Sequence, residues 1–237
     1  MKKTLIVALG TILSVLMMGA SASATSFGFK AITSNSGQQV AVASQLRMDV
    51  TKTLSGQASF LFTNDVGFTS SIQHIYFDDL DPALLAFQTA SITNASGVFF
   101  IADVVKRNEN PANFPGGELY NFNTSYGFNA AKTENPKANQ IENGINYTGE
   151  KLEIIFTLNS SAPKAFDDLI TALNNGDLRV GLHIQRIIDP NINNSDFSDS
   201  FLDTPDTPGT PIPEPATLLL FGMGLAGLAG LSRRQKK

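Results

Sequence analysis

The stretch Leu178-Arg179-Val180-Gly181-Leu182-His183-Ile184-Gln185-Arg186-Ile187 decides the fold class. Every second residue from Leu178 to Ile184 is apolar, and the residues between them are Arg179, Gly181 and His183, with Gln185 next. Successive side chains of a strand point to opposite faces. Strict alternation therefore predicts a β-strand with one buried face and one polar face.

Other short segments around this strand are also typical of β-structure, and loops rich in Asn, Gly, Ser and Pro separate them. They are Ala58–Thr63, Ile72–Phe77, Val98–Ile101, Leu119–Phe128 and Leu152–Leu158. Many short strands joined by such turns predict an all-β fold, either a β-sandwich or a jelly roll. The length of the chain suits one such domain.

One short amphipathic helix is predicted near residues 163–174. Its apolar residues recur at i, i+3, i+4 and i+7 and form one stripe, made of Phe166, Leu169, Ile170 and Leu173. Asp167 and Asp168 fall in the first turns, where the helix dipole favours negative charge. The run Asn174-Asn175-Gly176 predicts the end of the helix.

The composition excludes several classes of protein. The 237 residues include no Cys and two His, which excludes a disulfide framework, a cysteine nucleophile, a cysteine-based metal site and a multi-histidine metal cage. Charged residues make up 16% of the chain, against about 25% in an average domain. A nucleic-acid binder needs a basic face, so we expect no nucleic-acid partner.

The N-terminal segment has the three parts of a secretory signal peptide. Met1-Lys2-Lys3 precedes an apolar run that reaches Gly19, and small residues follow up to Ala24. The small side chains of Ala22 and Ala24 predict cleavage after Ala24, with cleavage after Ala22 as the alternative. An uncleaved membrane anchor is a further alternative, although the run is at the short end for a span of about 20 residues.

The C-terminal segment carries a second set of features. Pro213-Glu214-Pro215 precedes an uncharged stretch over 216–231, and Arg233 and Arg234 begin a basic end. A helix over that stretch is ~24 Å long, shorter than the ~30 Å hydrocarbon core of a bilayer. It therefore crosses only with bilayer thinning or with snorkelling of the basic side chains. The basic end is expected on the cytoplasmic side, which places the rest of the protein outside.

This order of Pro-Glu-Pro, short apolar span and basic cluster resembles the PEP-CTERM sorting signal. The resemblance implies a sorting motif made of Pro213, Glu214, Pro215, Arg233 and Arg234. It also implies an exosortase, a membrane-embedded cysteine protease, as the partner that cleaves near Pro-Glu-Pro. The host would be a Gram-negative, exopolysaccharide-making cell. The protein would be anchored in the inner membrane transiently and then reach the cell surface or extracellular matrix.

These features predict four parts of the chain. They are a signal peptide at 1–24, an extracytoplasmic β domain at 25–202, a Pro-rich linker at 203–211, and a sorting signal at 212–237 with a transmembrane segment at 216–231. Both targeting segments are predicted as apolar helices. The part between them is acidic, which disfavours nucleic acid and anionic lipid and favours divalent cations.

Two acidic segments are candidates for chemistry or metal binding. Asp78, Asp79 and Asp81 follow an apolar strand, but adjacent carboxylates on a strand point to opposite faces and make a poor catalytic pair. A solvated turn is predicted there, with a cation site as the alternative. Asp189, Asn191 and Asn193 stand at positions 1, 3 and 5 of a calcium-type loop, whose pattern then fails. An Asn-rich surface loop is predicted, with calcium as the alternative.

The remaining candidates are weak as catalytic residues. His74 and His183 are predicted to be hydrogen-bonded structural residues, and no G-x-S-x-G nucleophile motif is present. Trp is absent, so the candidate platforms for stacking a sugar are Tyr120, Tyr126 and Tyr147. We therefore expect a secreted, non-enzymatic surface or matrix protein without a cofactor. The alternatives are a carbohydrate-binding module for exopolysaccharide, assisted by calcium, and a polysaccharide-acting enzyme.

Overall fold

The computed structural model describes residues 24–53, 55–80, 85–103, 116–131, 143–158, 166–192 and 196–204. The strands in these ranges are β1 (Ala24–Phe27), β2 (Phe29–Ala31), β3 (Leu46–Lys52), β4 (Ala58–Asn64), β5 (Ser71–Asp79), β6 (Leu85–Asn94), β7 (Phe100–Asp103), β8 (Tyr126–Ala130), β9 (Lys151–Leu158), β10 (Leu178–Ile187) and β11 (Phe197–Asp203). The helices are α1 (Gln39–Ala43), α2 (Phe166–Asn175) and a 3-10 helix at Gly117–Tyr120.

The strands form two antiparallel sheets. The first sheet has the order β1-β3-β4-β9-β6, and the second has the order β2-β11-β10-β5-β8-β7. β1 and β2 follow each other in sequence but belong to different sheets, and Gly28 lies between them. The predicted all-β sandwich is confirmed.

The predicted targeting helices, in the signal peptide at 1–24 and at 216–231, lie outside the described residues except for Ala24, which begins β1. Within the described ranges, no helix combines the length and apolar character needed to span a membrane.

Phenylalanine rings fill the space between the sheets. Phe77 of β5 packs edge-to-face against Phe60, Phe128 and Phe156, with ring centroids 5.2, 5.9 and 5.0 Å apart. Edge-to-face pairs add about 0.5–1.5 kcal/mol each beyond the buried area. This packing, inside a core without Trp or Cys, accounts for the high Phe content of the chain.

β10 confirms the predicted strand and lies in the middle of the second sheet, between β5 and β11. Its alternating apolar residues are fully buried and face the first sheet. The other face is polar, as predicted, but Gly181 and His183 on that face are buried as well. Gly116–Ser125, which we call the cover segment, places Phe122 in a small apolar cluster with Tyr76 and Leu202 on this outer face.

α2 also confirms its prediction, with Asp167 and Asp168 in the first turn. Gly176 ends it with a φ of 76°, and the Asp177 N–H donates to the Ala172 carbonyl oxygen over 2.9 Å. A positive φ in this position favours glycine.

Two predicted strand boundaries are wrong. The predicted strand Leu119–Phe128 begins only at Tyr126, because Leu119 and Tyr120 belong to the 3-10 helix. Asn121 then takes a left-handed φ of 50°, which interrupts any extended run. Strand β7 begins at Phe100 instead of Val98, whose N–H closes a turn onto the Ala95 carbonyl oxygen.

Candidate functional site

The predicted processing sites lie largely outside the described residues. The sites outside the described residues are Ala22 and the sorting residues Pro213, Glu214, Pro215, Arg233 and Arg234. Ala24 is the first residue of β1, where it is the Cα partner of Thr51. Cleavage after Ala22 would leave all pairs between β1 and β3 intact, and cleavage after Ala24 would remove one. At the other end, the Thr204 N–H donates to the Gly28 carbonyl oxygen over 3.3 Å.

The acidic cluster is not a solvated turn, so that prediction is wrong. Asp78 and Asp79 are the last residues of β5, and both are buried. Asp78 pairs with Arg179 and accepts the Asn123 N–H over 3.0 Å. Asp79 accepts the Leu85 N–H over 3.2 Å. Asp81 lies outside the described residues.

Arg179 fastens the cover segment to the second sheet. Its Nη1 donates to the Tyr120 carbonyl oxygen over 2.7 Å, and its Nη2 donates to the Asn121 carbonyl oxygen over 2.8 Å and to Asp78. The guanidinium carbon also lies 5.4 Å from the centroid of the Phe122 ring, a cation–π distance. These contacts give Arg179 a structural role that the sequence did not predict.

The only two histidines of the chain are cross-strand neighbours. His74 of β5 and His183 of β10 are Cα partners, and their rings lie 5.5 Å apart at an interplanar angle of 27°. The Tyr76 ring stacks on the His74 ring, with the two ring centroids 5.9 Å apart. The predicted hydrogen bonding is wrong for His183, because neither of its buried ring nitrogens has a hydrogen-bond partner among the described residues. Burial above all, and His74 next, lower the pKa of His183 to about 4, although Asp199 acts in the opposite direction.

The two histidines are the middle of a longer row of polar residues. His74 is also the Cα partner of Asn129 in β8, and His183 is the Cα partner of Ser200 in β11. We call Asn129, His74, His183 and Ser200 the polar row; it crosses four adjacent strands. In the part of the chain that is described, Asn129 Oδ1 and Ser200 Oγ are buried without a hydrogen-bond partner, like the ring nitrogens of His183.

In the candidate calcium loop, the carboxylate of Asp189 accepts hydrogen bonds from amide groups. Asp189 Oδ1 accepts the backbone and side-chain N–H groups of Asn191 over 2.8 and 3.0 Å. Asp189 Oδ2 accepts Gln38 Nε2 over 2.9 Å. The Asn191 backbone N–H above all, and Gln38 next, lower the pKa of Asp189. Asn193 lies outside the described residues, so the proposed set of three oxygen donors is only partly seen.

Two further buried carboxylates, both in β11, were not predicted as site residues. Asp199 accepts the N–H groups of Asn35 and Ser36 over 2.7 and 3.1 Å. Asp203 accepts the Val180 N–H over 2.9 Å. Burial raises the pKa of Asp203 to about 7, although the Val180 N–H and the charge of Arg179 act against that rise. The described residues contain no cluster of three or more His, Cys, Asp or Glu that would hold a metal ion.

The three candidate tyrosines do not form one platform. Tyr126 is excluded as a platform because its hydroxyl donates to the Leu85 carbonyl oxygen and its ring packs on Phe156. Tyr120 is 45% exposed and Tyr147 is 66% exposed. Tyr120 lies near the Asp78 end of β5, and Tyr147 follows the bridge between Ile145 and Ile72 at the other end. At about 3.3 Å per residue, the two ends are roughly 20 Å apart.

The larger of two described clefts lies where β1 and β2 change sheets. Its volume is about 360 Å³, and Arg47 and Thr204 border it beside the exposed Val40. A second cleft of about 290 Å³ lies on the other side of α1, next to Asp65 and Phe68. Neither lining contains a histidine.

Comparison with known proteins bears on the C-terminal segment. The family model described as the PEP-CTERM protein-sorting motif matches residues 211–234. Neither the comparison with curated proteins nor the comparison with solved structures finds a match. The chain therefore carries a PEP-CTERM protein-sorting motif at residues 211–234, which implies export, membrane-associated sorting to the cell surface and processing by an exosortase.

Proposed function

We propose that the β-sandwich is a non-catalytic component of the cell surface or of the exopolysaccharide matrix. The sorting motif supports delivery to that place, and the acidic composition is compatible with a hydrated matrix. The proposal goes beyond sorting, since it assigns the body of the protein a structural or adhesive role after delivery.

The use of the buried carboxylates is the observation that carries this proposal. Asp78, Asp79, Asp189, Asp199 and Asp203 each accept a hydrogen bond from a backbone N–H group. General acid–base catalysis needs a carboxyl group within reach of substrate, with its protonation state tuned for transfer. Carboxylates that hold loops and strand ends together support a structural role instead.

Fractionation of the host tests this role. We expect the processed protein to co-purify with the extracellular polysaccharide, and to appear free in the medium when polysaccharide synthesis is blocked. Purified full chain, incubated with the same polysaccharide, should release no new reducing ends. Release of reducing ends, or equal partition into medium in both strains, would contradict the proposal.

Glu214 and the basic end are proposed to be required for processing. We expect Glu214→Ala, and separately replacement of Arg233 and Arg234 by Gln, to leave an unprocessed protein in the inner membrane. The basic residues fix the orientation of the span, and the resemblance to the sorting signal assigns Glu214 to recognition. Fractionation and mass spectrometry measure the outcome, with Thr210→Ala as a matched control outside the matched motif. Normal surface delivery of both variants would show that these residues are dispensable.

Carbohydrate binding is the second candidate function, and the exposed ring of Tyr120 favours it. This ring lies beside Leu119, which is 77% exposed, on a 3-10 helix that Arg179 holds in place. An exposed aromatic ring on a backbone that is held in place is suited to stacking on a sugar, because little backbone freedom is lost on binding.

Affinity electrophoresis in gels that contain the host polysaccharide tests this second function. We expect Tyr120→Ala to lose most of the retardation, while Tyr147→Ala, at the other end of the sandwich, keeps it. The same measurement with a calcium chelator in the gel distinguishes calcium-dependent binding at the Asp189 loop from ring stacking alone. Equal retardation of wild type and Tyr120→Ala would remove Tyr120 from consideration.

A further inference from the structure

The polar row, on the outer face of the second sheet, combines two features. It contains every imidazole of the chain, and its buried polar atoms lack partners among the described residues at Asn129, His183 and Ser200. Buried polar groups are nearly always hydrogen-bonded, and each exception calls for an explanation such as a bound water or ion. A ligand that accepts imidazole nitrogen and neutral oxygen donors would account for all of these atoms at once.

We propose that the polar row binds a divalent transition-metal ion of the zinc class through His74 and His183. Imidazole is a preferred ligand of zinc, copper and nickel, whereas calcium and magnesium prefer oxygen. The site is separate from the Asp189 loop, and it is independent of the role proposed for the body of the protein.

The spacing of the rings fits a shared ion. Two imidazoles on one tetrahedral zinc ion have ring centroids roughly 5 Å apart, because each zinc–nitrogen bond is about 2.0 Å long. The observed separation of the His74 and His183 rings is 5.5 Å. Their Cα pairing on adjacent strands holds the two rings at this separation without any contribution from a loop.

The flanking residues supply the remaining donors. Asn129 and Ser200 lie one strand further out on either side of the histidine pair, and each presents a buried oxygen without a partner among the described residues. These oxygens can coordinate the ion or hold a metal-bound water. Asn129 is partly exposed while Ser200 is fully buried, so the open side of the row is at β8. Two imidazoles and neutral oxygens make a weaker site than a three-histidine set.

A metal-binding imidazole must be neutral, so protons and the metal ion compete for the same ring nitrogens. No other imidazole or thiol in the chain competes for the ion. Binding of this class of metal can therefore be assigned to one place by substitution.

The test is titration of the full chain, purified in mild detergent, with zinc chloride. We expect saturable binding of one zinc ion per chain by calorimetry, unaffected by an excess of calcium. His74→Gln and His183→Gln should each weaken binding by at least about tenfold, since loss of even an outer-shell partner of a metal ligand costs that much. Gln185→Ala, on the same face of β10, is the matched control and should bind as wild type does.

Nitrogen NMR of the wild-type protein provides a readout that does not depend on any variant folding. The spectrum contains imidazole signals from two residues only. We expect one ring nitrogen of each to shift on addition of zinc. Absence of saturable binding, unmoved imidazole signals, or zinc binding that survives substitution of both histidines would each overturn the proposal.

Discussion

Replacing Arg179 by Met is expected to destabilise the protein by about 3–5 kcal/mol, because it leaves the buried carboxylate of Asp78 without its partner charge. The Asp78 side chain is 2% exposed and lies against the guanidinium. The carbonyl oxygens of Tyr120 and Asn121 lose their donor in the same step. Urea unfolding followed by circular dichroism measures the change in the free energy of unfolding.

The double variant separates the unpaired charge from the lost packing. Adding Asp78→Asn to Arg179→Met removes the buried charge, and we expect it to restore a substantial part of the lost stability, since loss of both partners is far less costly than loss of one. Lys30→Met, which replaces an exposed cation on β2, the edge strand of the same sheet, is the matched control and should change stability by no more than about 0.5 kcal/mol. A loss below about 1 kcal/mol in Arg179→Met would show that the pair is not important for stability.

Hydrogen exchange tests the same prediction at individual residues of the cover segment. The cover segment is attached to the sheet by Arg179, by the Phe122 ring and by the Ser125 N–H, which donates to the Phe77 carbonyl oxygen over 2.7 Å. Arg179→Met removes the first of these attachments. In the variant, the amide protons of Phe122 and its neighbours should therefore show a larger increase in exchange rate over wild type than those of the central strands, which report global unfolding. Uniform acceleration across both sheets would instead mean that the whole sandwich depends on the pair.

Alternation and apolar periodicity were sufficient to predict the layers of this fold. β10 and α2 are found where the sequence predicts them, because each has one continuous apolar face whose burial dominates the local energetics. β11 was missed because its sequence, Phe197–Asp203, contains two aspartates, Asp199 and Asp203, and the structure uses both as buried hydrogen-bond acceptors.

The contacts on the outer face could not be predicted in the same way. The Arg179–Asp78 pair joins residues that are 101 positions apart in the chain. The pairing of His74 with His183 depends on β5 lying beside β10, an order that the sequence does not specify. A polar residue on a strand has the same pattern whether water or another segment covers it. The solvated turn predicted at Asp78 and Asp79 was wrong for that reason.

Two buried groups are expected to give the stability of the protein opposite dependences on pH. The pKa of His183 is lowered to about 4 from 6.5, so between these values the unfolded chain binds a proton that the folded chain does not. The pKa of Asp203 is raised to about 7 from 3.8, so between these values the folded chain holds a proton that the unfolded chain does not. Acidification from pH 7 to pH 4 therefore destabilises the fold by about 3 kcal/mol through His183 and stabilises it by a similar amount, about 3 kcal/mol, through Asp203.

Substitution of either group should reveal the effect of the other. Asp203→Asn keeps an acceptor for the Val180 N–H and cannot ionise, so its free energy of unfolding should fall relative to wild type by about 3 kcal/mol between pH 7 and pH 4. His183→Gln should rise relative to wild type by about 3 kcal/mol over the same interval. Urea unfolding in half-unit pH steps, with a chelator present to remove any metal contribution, measures both differences.

The comparison with wild type is what makes this pH experiment decisive. Other carboxylates titrate near pH 4 in both proteins, and their contributions cancel in the difference between two curves. His74 and Asp199 are the charged or titratable neighbours that act on His183, and Arg179 is the one that acts on Asp203. None of them is altered in the two variants. If both difference curves are flat from pH 7 to pH 4, the two groups titrate alike in the folded and unfolded chains. Burial in the second sheet would then exert no net effect on their charge.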